Sequence, residues 1–387
     1  MGMAHVGGEC RSRLGLLTGL VLGPCFLFSL ALWAQTSDSQ TSDASKSWTD
    51  TTDSQSDNLN PTHTVENHTQ SGNRTLDTQS VQRRGSGGQF EPYQDIETET
   101  VKLDATTVRT TTRSYGRDSN GTKTLMQVTE EEKRSLPGGG SNVVRSTSNP
   151  DANGDLQLVQ RQIEETKKIS KDVEETKTTV MLPGINGGMA PAMQVEERRE
   201  RGANDTVQSR KTTLLPDGAG HWQVGEVQHS TTKQDGKSRS TEEQISRPDS
   251  EGNMGEVSRT VSKESESASG EKRGTVETYS ADAPGLARDG SLHLVERATI
   301  VQHNSPTGQQ TTEKQVEQPN PGDPNSGLQV TTRTIDIVRP GTSGAQATRT
   351  IQTVDANGSL GVASVDTSRS DNVQAIQVQI APSEMPK

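Results

Sequence analysis

The six histidines beyond residue 34 (His63, His68, His221, His229, His293 and His303) and one acidic run, Asp151-Ala-Asn-Gly-Asp155, are the residues whose types could do chemistry in this chain. Imidazoles beside carboxylates or thiolates would hold zinc, and oxygen donors at alternate positions are how calcium loops begin. Neither pattern completes itself. His221 and His229 have no carboxylate or cysteine at metal-ligand spacing, so the histidines read as solvent-exposed strand residues. Asp155 lacks the later acidic ligand that an EF-hand loop needs, and Asp217-Gly-Ala-Gly220 and Asp355-Ala-Asn-Gly-Ser359 carry still fewer carboxylates. Asp and Asn before Gly tolerate positive φ, which makes these segments turns. Both cysteines, Cys10 and Cys25, precede residue 34, and no strand–Gly-x-Ser-x-Gly–helix context offers a nucleophile. Gly138-Gly-Gly-Ser141 and the glycines from Gly184 to Gly188 lack the Lys-Ser/Thr of a phosphate-binding loop. The predicted site is therefore empty, with no catalytic, cofactor-binding or metal-binding residue and no cofactor. The chain is predicted not to be an enzyme.

The elements that would position any site follow from a loose repeat of about 34 residues after residue 105 or so. Each copy has a turn, as in Asp118-Ser-Asn-Gly121 or Asp151-Ala-Asn-Gly154, then an apolar residue such as Leu125, Leu156, Trp222, Met254 or Leu360. A second set of turns falls between, through Gly138–Gly140, Asn204-Asp205, Asp235-Gly236, Ser269-Gly270 and Gly308. β-branched runs such as Thr107-Val-Arg-Thr-Thr-Thr112 and Ala347-Thr-Arg-Thr-Ile351 lie between turns, as hairpin strands do. Gln160–Lys177 carries Glu-before-Lys spacing that suits a helix, yet its alignment with the other copies favours strand. In Leu292–Val301, simple alternation puts Leu292, Leu294, Ala298 and Ile300 on one face. Neither face of such strands is apolar enough to pack on a second sheet, so cross-strand Thr–Thr, Glu–Arg and Glu–Lys pairs must hold them.

Composition narrows the class. Only 27% of residues are hydrophobic and 2% aromatic, too little for a dense core. The net charge of −11 is spread with both signs mixed, which suggests neither a nucleic-acid groove nor an anionic-membrane patch. Arg11 and Arg13 precede an apolar run from Leu14 to Trp33 that ends in small residues, Ala31 and Ala34. That is the pattern of a secretory signal peptide over residues 1–34, or of an uncleaved anchor. Residues 35–88 are rich in Ser, Thr, Asp, Gln and Asn, which predicts a disordered, low-complexity spacer. Aromatic girdles and a terminal aromatic are missing, which argues against a spanning β-barrel.

The sequence thus predicts an all-β protein, a repetitive antiparallel β-hairpin meander over residues 89–387, single-layered or solenoid-like, with a largely disordered chain as the alternative. The function expected is structural or adhesive, exported to the periplasm, cell surface or extracellular matrix and acting through many weak contacts. The alternatives are a calcium- or glycan-binding surface module and a disordered solvating exoprotein. Partners would be an extracellular or envelope protein or glycan, or further copies of the chain, with no nucleic acid and with membrane contact only through an uncleaved anchor.

Overall fold

The computed structural model describes residues 46–370 apart from 57–60, 86, 118–120, 284–289, 321, 342–343 and 356–357. The predicted signal peptide, residues 1–34, lies outside the described residues. The chain forms β-strands joined by turns. β1 spans Lys46–Ser56, β2 Thr62–Ser71, β3 Arg74–Arg84, β4 Phe90–Lys102, β5 Thr107–Arg117, β6 Lys123–Ser135 and β7 Ser141–Pro150. β8 spans Leu156–Lys168, β9 Val173–Pro183, β10 Met189–Arg201, β11 Val207–Pro216, β12 Trp222–Asp235, β13 Ser238–Pro248 and β14 Met254–Glu266. β15 spans Lys272–Ser280, β16 His293–Asn304, β17 Gln310–Asn320, β18 Asp323–Gly341, β19 Gly344–Val354 and β20 Leu360–Ser370.

Every strand pairs antiparallel with its neighbour in sequence, and β20 pairs antiparallel with β1 from Asp50↔Ser370 to Ser56↔Ser364. The sheet of 20 strands therefore closes on itself. At a strand spacing of roughly 4.8 Å and a tilt of about 40°, such a barrel is about 40 Å across at the backbone. Extensive contacts join only neighbouring strands, with slight ones from β18 to β16 and β20, so among the described residues no strand packs extensively across the interior.

The antiparallel hairpin meander is present, but its predicted open or solenoid-like form is not. An open sheet this wide would expose two long edges and twist apart. Pairing β1 with β20 removes both edges, and it also removes the largely disordered alternative. The predicted disordered spacer is corrected too, because β1, β2 and β3 lie within residues 35–88. Their Ser/Thr/Asp/Gln composition does not bar strand formation when neither face of the wall must pack on a second layer. The helix-like stretch Gln160–Lys177 runs through β8 and into β9, both strands.

A β-bulge recurs where the Asp-rich turns lead back into the barrel. Register shifts separate Val81 from Gln82, Ser114 from Tyr115, Thr147 from Ser148, Thr213 from Leu214 and Ile245 from Ser246, each opposite one extra residue on the next strand. The extra residues are Tyr93, Met126, Val159, Gly225 and Val257. A bulge flips the facing of every later residue in its strand. The one between Thr278 and Tyr279 places Leu294 opposite Tyr279 while Ala298 faces Val276, so Leu294 and Ala298 occupy opposite faces, contrary to simple alternation.

Apart from the longer connection between β15 and β16, the connections are short, and several share one construction. In 151–155 the Asp151 N–H donates to Asp155 O at 2.9 Å and Gly154 N–H donates back to Asp151 O at 3.0 Å, with Gly154 at a φ of 86°. The Asp151 carboxylate accepts from the Asn153 and Asp155 amides at 2.8 and 3.0 Å. Asp217 and Asp249 repeat this with Ala219 and His221, and with Glu251 and Asn253. These backbone donors hold all three carboxyls below the ordinary aspartate range.

Candidate functional site

Directly opposed residues share a face, so the pairings carry each face around the wall from strand to strand. A closed barrel crowds side chains on its concave face and splays them on its convex one. Glu130, Glu132, Arg161, Glu165, Glu196, Arg198, Arg210 and His229 share one face and are exposed. Their neighbours on the other face, Glu131, Gln162, Glu164, Glu197, Lys211 and Gln228, are half-buried although of similar size and polarity. The second set therefore lines the interior.

That inner wall is largely polar, with aliphatic side chains such as Val180, Val276, Ala298 and Ile300 packed among its threonines and charges. Threonine pairs bridge neighbouring strands along it, with Oγ1–Oγ1 distances of 3.3 Å for Thr98–Thr112, 3.2 Å for Thr100–Thr110, 3.1 Å for Thr166–Thr176 and 3.0 Å for Thr232–Thr241. Their position has a backbone cause. Leu103 N–H donates to Thr107 O and Ile169 N–H to Val173 O, which makes every second pair along these hairpins hydrogen-bonded. The threonines fall on the intervening pairs, where side chains approach more closely. Charges on the inner wall balance: Arg145 bonds Glu131, and Arg349 Nε donates to Asp336 at 2.7 Å. Glu197, Arg199, Lys211, Gln228, Ser230 and Glu243 line an open recess of about 300 Å³ on this wall.

The outer wall changes along its height, and Leu103, Leu136 and Ile169 are exposed at the rim opposite Asp151, Asp217 and Asp249. Over the middle it carries ion pairs such as Arg109–Glu132, Arg198–Glu175 and Arg333–Glu313. Toward the rim that bears Asp151, Asp217 and Asp249 it turns apolar. Phe90, Leu156, Met189, Trp222, Met254 and Leu360 open β4, β8, β10, β12, β14 and β20, and their register puts them all on the outer face. Five of them, all but Met189, are exposed.

The histidines that the sequence singled out are dispersed. His63 and His68 share β2 but face opposite ways. His221 sits in a turn against Asp217, His229 and His303 lie on the outer face, and His293 opens β16. His68 was missed as anything but a solvated residue. Its side chain is only 19% exposed on the inner face, among Asp50, Glu66 and Asp77. Asp50 and Asp77 come from other strands, so the spacing held no signal for this group.

Closure overturns the adhesive or structural repeat function, and with it the secreted, low-complexity, partly disordered character expected of such a protein. The successive copies are hairpins of one wall, and among the described residues the sheet leaves no free strand edge. The calcium- or glycan-binding module and the solvating exoprotein fall with it. In the turns Asp151, Asp217 and Asp249, the carboxylates are already engaged by their own backbone amides.

No protein-family profile matches the chain, and no curated protein matches it in sequence. Among solved structures it is similar to the crystal structure of Pseudomonas aeruginosa OccK5 (OpdH), at 12% identity and a TM-score of 0.43, covering 84% of this chain and 97% of that one. It is also similar to Pseudomonas aeruginosa OpdO, at 8% identity and a TM-score of 0.39 over 84% and 96% of the two chains. OccK8 (OprE) of the same organism gives 12% identity and a TM-score of 0.38 over 84% and 97%. Likeness this low carries no functional argument, and the barrel rests on the chain's own strand pairings.

Proposed function

We propose that this chain is a transport conduit of the cell envelope, a wide water-filled barrel that passes hydrophilic solutes, rather than a freely secreted protein or an enzyme. The observation that carries the reading is the β1–β20 seam together with the polar inner wall. Barrels of 16 to 18 strands already leave an aqueous channel, and 20 leave a wider one. Opposite charges that pair along the inner wall, as in Arg145–Glu131 and Arg349–Asp336, favour solutes by size and hydration more than by sign. The signal peptide that the sequence predicts over residues 1–34 supports a place in the envelope. The row of exposed apolar residues from Phe90 to Leu360 places lipid contact at that rim, with Leu103, Leu136 and Ile169 exposed at the opposite one.

Reconstitution into planar bilayers tests this. Discrete conductance steps with weak preference between small cations and anions are expected. A preparation with a strand spectrum that adds no conductance, and lets no sugar through in a vesicle-swelling assay, would overturn the reading.

A further inference from the structure

We propose that Asp50, Glu66 and His68 form a site for one divalent transition-metal ion on the inner wall, beside the seam that closes the barrel. One atom from each lies within 4.8 Å of the others, a span that one ion can bridge. Asp50 on β1 stands directly opposite Glu66 on β2, and Asp50 also opens the β1–β20 pairing. Like charges placed directly opposite are destabilising, and a bound cation reverses that sign.

The imidazole is held for ligation. Its Nδ1 lies 2.8 Å from Asp77 Oδ1, and a carboxylate only accepts, so that nitrogen carries the proton. Nε2 then faces the two acids, 3.2 Å from Asp50 Oδ2 and 3.9 Å from Glu66 Oε2. A carboxylate on the far nitrogen is the usual support of a metal-bound histidine. Asp50 Oδ1 is buried without a hydrogen-bond partner, an acceptor in reserve. Glu66 Oε1 accepts from Gln79 Nε2 at 2.5 Å, which fixes that carboxylate and leaves Oε2 toward the imidazole.

One nitrogen and two carboxylate oxygens suit zinc and its first-row neighbours better than calcium, which takes oxygen ligands alone. Three protein ligands leave positions open for water. The competing arrangement is a protonated imidazole bridging Asp77 and Asp50 with no metal. It would leave three carboxylates around one positive charge, with Lys46 farther along the same face.

The full chain, folded and stripped with chelator, would be titrated with Zn²⁺ by calorimetry and with Co²⁺ by visible absorption. One Zn²⁺ per chain, a Co²⁺ band showing nitrogen ligation, and a Zn²⁺-dependent rise in melting temperature are expected. His68→Gln and Asp50→Asn should each weaken Zn²⁺ at least about 10-fold, and Asp77→Asn roughly 10- to 100-fold through loss of the orienting bond. His63→Gln, on the outer face, should change nothing. Absence of stoichiometric uptake by the wild-type chain would overturn the site. So would uptake undiminished in Asp77→Asn and Asp50→Asn, or a preference for Ca²⁺ indifferent to His68→Gln. The wild-type Co²⁺ spectrum decides even if a variant fails to fold. The outcome is independent of conductance, so the site and the conduit can fail separately.

Discussion

Thr52 of β1 lies directly opposite Ser368 of β20, and this pairing joins the two ends of the described chain into one wall. Facing residues on antiparallel strands have Cα atoms about 4.5–5.5 Å apart, inside the range that a disulfide spans. With Cys10 and Cys25 replaced, the Thr52→Cys/Ser368→Cys double variant should form an internal disulfide under mild oxidation. Peptide mapping by mass spectrometry would find the linked pair. A double variant that stays reduced, or that links only between molecules, would mean that the sheet is open.

If the lumen carries solute, its charged residues should set selectivity. Arg145 and Glu131 pair across β6 and β7 on the inner wall. Arg145→Glu leaves two acids facing each other and removes a positive charge from the pathway. The expected result is a shift of reversal potential toward cations under a salt gradient, at a stability cost of about 1 kcal/mol or less for like charges opposed. Arg109→Glu makes the same change of charge on the outer wall and should leave the reversal potential in place.

Strand character and turn chemistry were legible in the sequence because they are local. Asp151-Ala-Asn-Gly154 announces its turn by residue type, and the β-branched Thr107–Thr112 run announces a strand. Closure was not legible, since Thr52 and Ser368 are far apart in sequence and no local pattern couples them. The spacer was misread for a related reason. Judged by apolar content, residues 46–84 look unable to fold, but a wall wet on both faces asks for ladder hydrogen bonds and cross-strand pairs instead of a core. The bulges defeated strict alternation, as Leu294 and Ala298 show. His68, Asp50 and Asp77 meet only through register, so no spacing rule could have assembled them.

Turn carboxylates should govern acid stability. Asp104 accepts from Thr106 N, Thr106 Oγ1 and Thr107 N at 2.6–2.8 Å, and these donors pull its pKa down to about 2. A free aspartate titrates near 3.9, roughly where the unfolded chain would take up its proton. Because the folded value is the lower one, this contribution is complete above about pH 4 and is lost as pH falls through about 2. Thermal melts of Asp104→Asn should fall less steeply between those limits than melts of the wild type. Equal slopes would show that the Asp104 bonds add nothing to the folded state.

The apolar rim predicts how the barrel meets lipid. Phe90, Leu156, Trp222, Met254 and Leu360 are exposed at one end of the outer wall, while the ion pairs of the middle zone suit water or headgroups. A belt a few residues tall, with a tryptophan in it, fits the interfacial depth at which apolar faces sink into a bilayer. With Trp33 and Trp48 changed to Phe, Trp222 is the only indole left. Its emission should move to shorter wavelength when the barrel is transferred from detergent-free buffer to phospholipid vesicles, and brominated lipids should quench it. Trp222→Lys should weaken vesicle binding while leaving the strand spectrum intact. A conducting barrel whose Trp222 emission ignores brominated lipid would place that rim outside the membrane, and the lipid contact would then have to come from the opposite rim, with Leu103, Leu136 and Ile169, or from the charged zone, where burying ion pairs costs several kcal/mol per ion.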